Sequence, residues 1–345
     1  MPPGLGKIES LLILRKEASA RQALAELKGF AHTMPNPYIL INTIGISEAK
    51  ESSAIENIIT TQDELYKALA SNLTAADPAA KEVLNYRQAV YKGFNIIRQT
   101  GMIRISDIVK IQELIIGNNA GIRKLPGTSL VNSATDDVVY TPPQDYDTIC
   151  ALLNNFCAYL NDAEDSLWKM AVLHYQFETI HPFYDGNGRT GRILNILYLL
   201  LKQHLDTPIL YLSSFIIKRK SDYYSLLSRT RTSGMWEDWV LFMLDGIEQT
   251  AKLTLEKVRA IKELFDLTTE RVKAHCPKIY SRELVELIFE HPYSKIDFVV
   301  NKINVNRKTA SKYLKELETC QILSSTRLGK ETLYIHKALM RILEE

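Results

Sequence analysis

Along most of the chain apolar residues recur every three or four positions rather than every second one, a spacing that predicts helices and few strands. Leu167, Met170, Leu173 and Phe177 mark one face of an amphipathic helix, which Pro182 ends near His181. Beyond it, Ile193 to Leu201 is apolar on nearly every side, so the helix that follows is expected to be buried. Met34-Pro35-Asn36-Pro37 predicts a turn after a first helix. Ser47, followed by Glu48 and Glu51, is a candidate cap for a helix reaching about Ile59. The helical pattern breaks between Gly121 and Pro143, where Gly, Ser, Thr, Asp and Pro surround Val138-Val139-Tyr140-Thr141; this predicts a loop or small hairpin.

From about residue 280 the elements shorten to one helix, a helix-turn-helix stretch from Lys295 to Thr319, and two strand-like runs around Gly329. That order resembles a winged helix. The expected organisation is a helical block over 1–90, a central block over 91–250, a connecting helix over 251–279 and the C-terminal module over 280–345.

Composition narrows the picture slightly. With 42 basic and 40 acidic residues among 345, no global field commits the protein to nucleic acid or an anionic surface, so any such preference is local. Cys150, Cys157, Cys276 and Cys320 are scattered without metal-ligand spacing, and reduced, buried thiols are expected rather than zinc or a disulfide framework. The apolar run Leu11 to Leu14 is flanked by Lys7 and Arg15 and lacks a small-residue cleavage pattern, so no secretory signal is read. The apolar stretch around Leu197 to Leu201 falls short of the roughly 20 residues that span a bilayer. A cytoplasmic location is expected, with no membrane partner, which makes the Asn72-Leu73-Thr74 sequon incidental.

The chemistry concentrates in His181-Pro182-Phe183-Tyr184-Asp185-Gly186-Asn187-Gly188-Arg189-Thr190-Gly191-Arg192. A glycine-rich loop at the start of a buried helix offers unpaired N–H groups and the positive end of the helix dipole, which together bind anions. Arg189 and Arg192 add planar donors suited to phosphate. Asp185 can hold a Mg²⁺ that bridges phosphate oxygens. His181 stands one short loop away and can take the proton of an attacking hydroxyl.

The stretch resembles the Fic signature, HPFx[DE]GNGRxxR, and matches it at every defined position. The resemblance extends over most of residues 20 to 250. It implies an all-α Fic fold with a small β-hairpin flap, followed here by a winged helix-turn-helix domain. It also implies a protein adenylyltransferase that moves AMP from ATP to a Ser, Thr or Tyr hydroxyl and releases pyrophosphate. By the same carry-over His181 is the base, Asp185 the Mg²⁺ ligand, and Phe183 an anchor in the core. Gly186, Asn187 and Gly188 form the anion hole, with Arg189, Thr190, Gly191 and Arg192 completing the nucleotide-binding turn. The glycines at 186 and 188 favour AMP transfer over the kinase-like Doc branch.

Ser52-Ser53-Ala54-Ile55-Glu56-Asn57 resembles the family's inhibitory helix motif, [ST]xxxE[GN], in the position of the class whose inhibitor precedes the core. Helical spacing puts Ser52 and Glu56 on one face, with Ile55, Ile58 and Ile59 packing toward the body, and Glu56 is expected to pair with Arg192. The segment from Gly121 to Pro143 resembles the flap that aligns a target protein by strand addition, its edge and nucleotide-facing wall expected at Val138, Val139 and Tyr140. Tyr223 and Tyr224 match paired tyrosines near adenine and ribose, with Tyr223 expected on the nucleotide; Arg231 stands where some relatives have Asn.

Between Asn301 and Lys330 lie seven basic residues, Lys302, Arg307, Lys308, Lys312, Lys315, Arg327 and Lys330, against Glu316 and Glu318. Arg307, Lys308, Ser311 and Lys312 would project from a recognition helix, a layout able to meet DNA phosphates. The expected partners are therefore a target protein, a second copy of the chain, and DNA. Two alternatives to autoinhibited AMP transfer stay open: a DNA-binding regulator whose Fic core senses nucleotide, and removal of AMP or transfer of another phosphate-containing group at the same site.

Overall fold

The computed structural model describes residues 10–71, 77–131, 137–329 and 331–344; Lys7, the Asn72-Leu73-Thr74 sequon and Lys330 lie outside them. The first helix, α1 (Leu11–Ala31), is capped by Ser10, whose hydroxyl accepts from the Ile13 N–H. The Met34 to Pro37 turn leads into α2 (Pro37–Ile55), capped by Asn36 with proline in the first turn. Ser47 is therefore no cap: it lies buried within α2, and the helix begins ten residues earlier than its apparent start signal. Glu48 does not serve the dipole either. It is buried, its carboxyl accepting from the Ser213 N–H at 2.9 Å and the Tyr86 hydroxyl at 3.2 Å, and desolvation pushes it up to about 7.

After α3 (Gln62–Ser71) come α4 (Pro78–Thr100) and α5 (Ile105–Ile116), each ended by a glycine at positive φ. The break in the helical pattern becomes a hairpin of β1 (Leu130–Val131) and β2 (Val138–Tyr140), antiparallel, with Leu130 opposite Tyr140. Then α6 (Tyr146–Asn161), α7 (Leu167–Ile180) and α8 (Asn187–Leu201) form the centre. Leu173, Phe177, Ile193 and Leu197 are all buried there, so both halves of the sequence reading around His181 hold. Two short helices, α9 (Ser213–Lys218) and α10 (Lys220–Ser233), follow.

The connecting helix is not a separate element. It is the second half of α11 (Trp236–His275), a 40-residue helix that starts inside the central block with buried Trp239 and ends in the C-terminal module. Its first half lies along α1, with contacts that advance in step: Ser10 with Glu237, Lys16 with Asp245, Phe30 under Arg259.

The C-terminal module comprises α12 (Arg282–Glu290), β3 (Tyr293–Ser294), α13 (Ile296–Ile303), α14 (Arg307–Thr319), β4 (Ser324–Leu328), β5 (Glu331–Ile335) and α15 (Lys337–Glu344). Its antiparallel sheet has the order β3-β5-β4, and Asn304 at φ 56 makes the turn between α13 and α14. This is a winged helix-turn-helix, as the sequence pattern predicts, with β3 and α15 added. One expectation about cysteine is corrected: Cys276, at the end of α11, and Cys320, at the end of α14, are joined as a disulfide, a proximity that their 44-residue separation conceals. Cys150 and Cys157 are free thiols. Among the described residues no helix is long and apolar enough to cross a membrane.

The module also touches the N-terminal block. The Tyr293 hydroxyl donates to Asp63, its ring stacks on Tyr66 at 5.9 Å, and Arg282 donates to the Pro35 carbonyl.

Candidate active site

The site forms where the ends of α7 and α2 meet the start of α8. Helix α7 stops at His181, which takes the left-handed conformation at φ 48 while its N–H still bonds the Phe177 carbonyl; Pro182 then forbids continuation. Asn187 ties the following loop: its side-chain oxygen accepts from the Phe183 N–H at 2.9 Å and its amide donates to the Phe183 carbonyl at 2.8 Å. Phe183 itself is wholly buried against Phe177.

Gly186 caps α8 at φ 80, where a Cβ would strike Ile116. The first intrahelical bond is Thr190 N–H to Gly186 carbonyl at 2.9 Å, so the N–H groups of Asn187, Gly188 and Arg189 precede it and are free to meet an anion. The Asn187 side chain is committed to Phe183, so Asn187 contributes its backbone to the anion turn. The expected set is corrected in two places. Thr190 is fully buried and past the anion-binding turn. Gly191 packs against α7, where a Cβ would lie 2.6 Å from Glu178 Oε1.

Arg192 is buried and holds three bonds: Nε donates to Ser52 Oγ at 2.8 Å, and one terminal nitrogen donates to the Ser52 carbonyl and to Glu56 Oε1, both at 2.9 Å. Burial opposes charge on both partners of this pair, yet mutual attraction outweighs it: Glu56 is held below its usual range and Arg192 raised above its own. Gly188 makes room for the contact, since a Cβ there would run into Glu56 Oε1 and come within 3.0 Å of Arg192. Glu56 is the residue that ends α2. Asn57 follows at φ 63, its N–H bonding the Ala54 carbonyl at 3.0 Å, and the Ile58 N–H bonds the Ser53 carbonyl at 3.1 Å. Those two bonds are a complete Schellman motif, which explains why the motif ends in Gly or Asn. Ile55 is buried as expected, but Ile59 is 77% exposed and does not pack on the body.

His181 sits in a desolvated pocket beside Arg123, and the two effects pull its pKa down to about 4, so the imidazole is neutral at physiological pH. Arg123 was not legible in the sequence. It is wholly buried at the base of the hairpin segment, its Nε donating to the His181 carbonyl at 2.8 Å, and one terminal nitrogen to the carbonyls of Pro143 and, at 3.4 Å, Ile180. Its own N–H bonds the Pro182 carbonyl at 3.0 Å. Two other residues also escaped. Glu178, three positions before His181, faces Gly191 with its Oε1 unbonded, and burial pushes it up to about 7. Glu82 on α4 accepts from Arg189 at 2.7 Å, leaving Asp185 a longer 3.6 Å contact with that arginine.

Asp185 stands at the loop mouth with a 72% exposed side chain, one oxygen accepting from the Gly186 N–H at 2.6 Å. A single solvent-facing carboxylate beside an anion-binding turn is the donor set a phosphate-bridging Mg²⁺ uses, so the residues present fit that ion.

The hairpin is tied to the end of α7. Val138 and Val139 are 61% and 53% exposed, and Tyr140 donates to the Thr179 carbonyl at 3.0 Å. Arg231 lies over the Tyr140 ring at 3.5 Å and so joins α10 to the hairpin. Tyr223 is a further correction: it is buried, with its hydroxyl 2.7 Å from His174 Nε2 and its ring against Trp239. Tyr224 is the exposed member of the pair, within electrostatic reach of Glu56 and Arg192.

Sequence comparison agrees with this geometry. Residues 14–95 match the Fic/DOC family N-terminal domain and residues 102–199 the Fic/DOC family domain, so the chain belongs to the Fic/DOC family. Within that family its far end is more particular: residues 264–339 match the C-terminal domain described as protein adenylyltransferase SoFic-like. Among curated relatives, the protein adenylyltransferase Fic of Aedes aegypti is 27% identical over 179 residues, 50% of this chain and 34% of that protein. Its Drosophila melanogaster counterpart is 28% identical over 157 residues, 44% and 30% respectively. The chain thus spans about a third of the length of the relatives it matches. Among solved structures, a Fic family protein from Desulfovibrio desulfuricans superposes with a TM-score of 0.60 at 18% identity, covering 97% of this chain and 98% of the other. Fic-1 from C. elegans gives 0.53 at 17% identity, with 72% and 73% covered. At such identities the likeness is one of fold.

Proposed function

We propose that the chain is a protein adenylyltransferase that uses ATP and is held inactive by Glu56. The observation that carries this reading is an imidazole held neutral at the end of α7, one short loop before a turn of unbonded N–H groups, with an exposed carboxylate in that loop and a buried arginine paired with Glu56. The N–H groups of Asn187, Gly188 and Arg189 would hold phosphate oxygens, and Arg192 would take the distal end of the triphosphate. His181 accepts the proton of a target hydroxyl as its oxygen bonds to the α-phosphorus; the bond to the bridging oxygen breaks and pyrophosphate leaves. Mg²⁺, bound through Asp185, would supply charge neutralisation at the phosphates.

With Glu56 on Arg192, the triphosphate loses the partner that places its distal end, and an α-phosphate out of line with the hydroxyl does not react. The exposed edge and valines of the hairpin support docking of a target segment as an added strand, a mode that reads main chain more than side chain.

The test is Glu56→Gly protein incubated with ATP labelled at either the α or the γ position. Label transferred from α alone is expected; label from γ alone would make the site a kinase. His181→Ala in the same background should transfer neither.

A further inference from the structure

The winged helix takes no part in the chemistry above, and its outward face differs from the rest of this nearly neutral chain. Helix α14 buries Ala310, Leu314 and Leu317 toward the module core. On the opposite side Lys308, Lys312 and Lys315 are exposed, and Arg307 is exposed at the helix start; Arg307 and Lys312 have 71% exposed side chains. The three lysines are spaced so that they share one face over about two turns, some 10 Å of helix. Beyond them β4 and β5 form the wing, and Arg327 is exposed on β4, an edge strand that pairs only with β5.

The acidic neighbours are few and mostly engaged. Asp297 pairs with Arg307, Glu316 lies 3.7 Å from Lys312, and Glu318 accepts from the Ser325 N–H at 2.9 Å. Among the described residues Lys308 and Arg327 form no salt bridge, and Lys315 lies within electrostatic reach of Glu318. The frame behind the face is anchored: Asn306 caps α14 through the Thr309 N–H, and the disulfide ties the helix end to α11.

We infer that this face binds duplex DNA, with α14 in the major groove and the wing along the flanking backbone. A helix fits a groove about 12 Å wide, and a basic helix face continued by a basic hairpin edge matches two phosphate strands rather than one compact anion. The side chains are lysines and arginines without a fixed array of paired acceptors, so most of the affinity is phosphate contact and varies little with sequence. Because Asp63 and Tyr66 hold β3 against the N-terminal block, DNA bound here would bring the whole transferase to the duplex.

The experiment is fluorescence anisotropy of the full chain with a labelled mixed-sequence duplex of about 25 base pairs over a salt series. About four phosphate contacts at a slope near −0.9 each predict an affinity loss of about a hundredfold between 50 and 200 mM salt. Lys308→Glu with Lys312→Glu should weaken binding by at least about tenfold and flatten the slope by about two. Reversal of two exposed lysines outside the module, Lys92→Glu with Lys110→Glu, should change neither. Absence of binding at 50 mM salt overturns the inference, as does binding that the Lys308/Lys312 variant leaves intact. A melting curve matching wild type shows that the variant has folded, and its surface positions make that the expected result.

Discussion

Two helix ends in this molecule look alike and behave as opposites. Both α7 and α2 finish with a non-glycine residue in the left-handed conformation, His181 at φ 48 and Asn57 at φ 63, and each carries a functional side chain at or beside that end. The end of α7 is held from outside. Arg123, 58 residues away in sequence, binds the carbonyls of Ile180 and His181 and, through its own N–H, that of Pro182. The end of α2 is closed by its own Schellman bonds, and from outside Lys220 donates to the Ile55 carbonyl at 2.7 Å while Arg192 bonds Ser52 and Glu56. A base must be fixed, whereas a gate must leave. The distinction lies in the functional residue itself: His181 is held through its backbone carbonyl by Arg123, whereas the Glu56 side chain is held by an ion pair with Arg192.

The comparison breaks most visibly at the gate. Glu56→Gly removes the carboxylate and keeps a residue that suits a helix end, so the rest of α2 stays in place. Self-labelling from α-labelled ATP is expected to rise by about a hundredfold, the size of effect that misplacement by an ångström produces. A rise below twofold would mean that Glu56 merely fills space.

The fixed end is tested by Arg123. Because the geometry joins it to His181 through backbone, Arg123→Gln in the Glu56→Gly background is expected to reduce transfer by about thirtyfold, mostly in kcat. The sign of the pH effect separates positioning from general damage. Burial and the Arg123 charge both disfavour protonated His181, holding it near 4, and base activity is lost as pH falls through that value. Removing the charge favours the protonated form, so the acidic limb moves upward. Arg123→Lys keeps the charge and should leave the limb in place while losing part of the rate. If both variants give the wild-type limb, Arg123 has no electrostatic hold on the base.

These two ends were unequally legible in the sequence. His181 to Arg192 is one contiguous stretch whose chemistry is set by local backbone, so periodicity and glycine spacing located the base, the anion turn and the buried helix. The Glu56–Arg192 pair could be read because each partner lies in a motif of its own. Arg123 carries no such mark: it is one basic residue in a polar loop, and only tertiary folding buries it under His181. Tyr223 was misread for the same reason. Residue type correctly suggested proximity to the site, but the direction of a side chain depends on neighbours such as His174. Ser47 shows the limit of local signals, since two acids after a serine mimic a cap while Asn36-Pro37 supplies a stronger one.

The smallest expected effect concerns Asn57, and it asks whether the gate is tuned by backbone alone. Asn57 touches Arg192 in no recorded bond; its part is to hold φ 63 so that Glu56 ends the helix facing α8. A β-branched residue pays about 1 kcal/mol or more in that region, and the strain vanishes if the helix end frays. Since 1.4 kcal/mol is a factor of ten in an equilibrium constant, Asn57→Val should raise basal labelling by about fivefold to tenfold, well short of Glu56→Gly. Asn57→Gly suits the same φ and should stay within about twofold of wild type. In the Glu56→Gly background Asn57→Val should add nothing, because the conformation it strains no longer inhibits. Should it raise labelling there as well, Asn57 would act on the nucleotide site directly, and the end of α2 would be more than a removable latch.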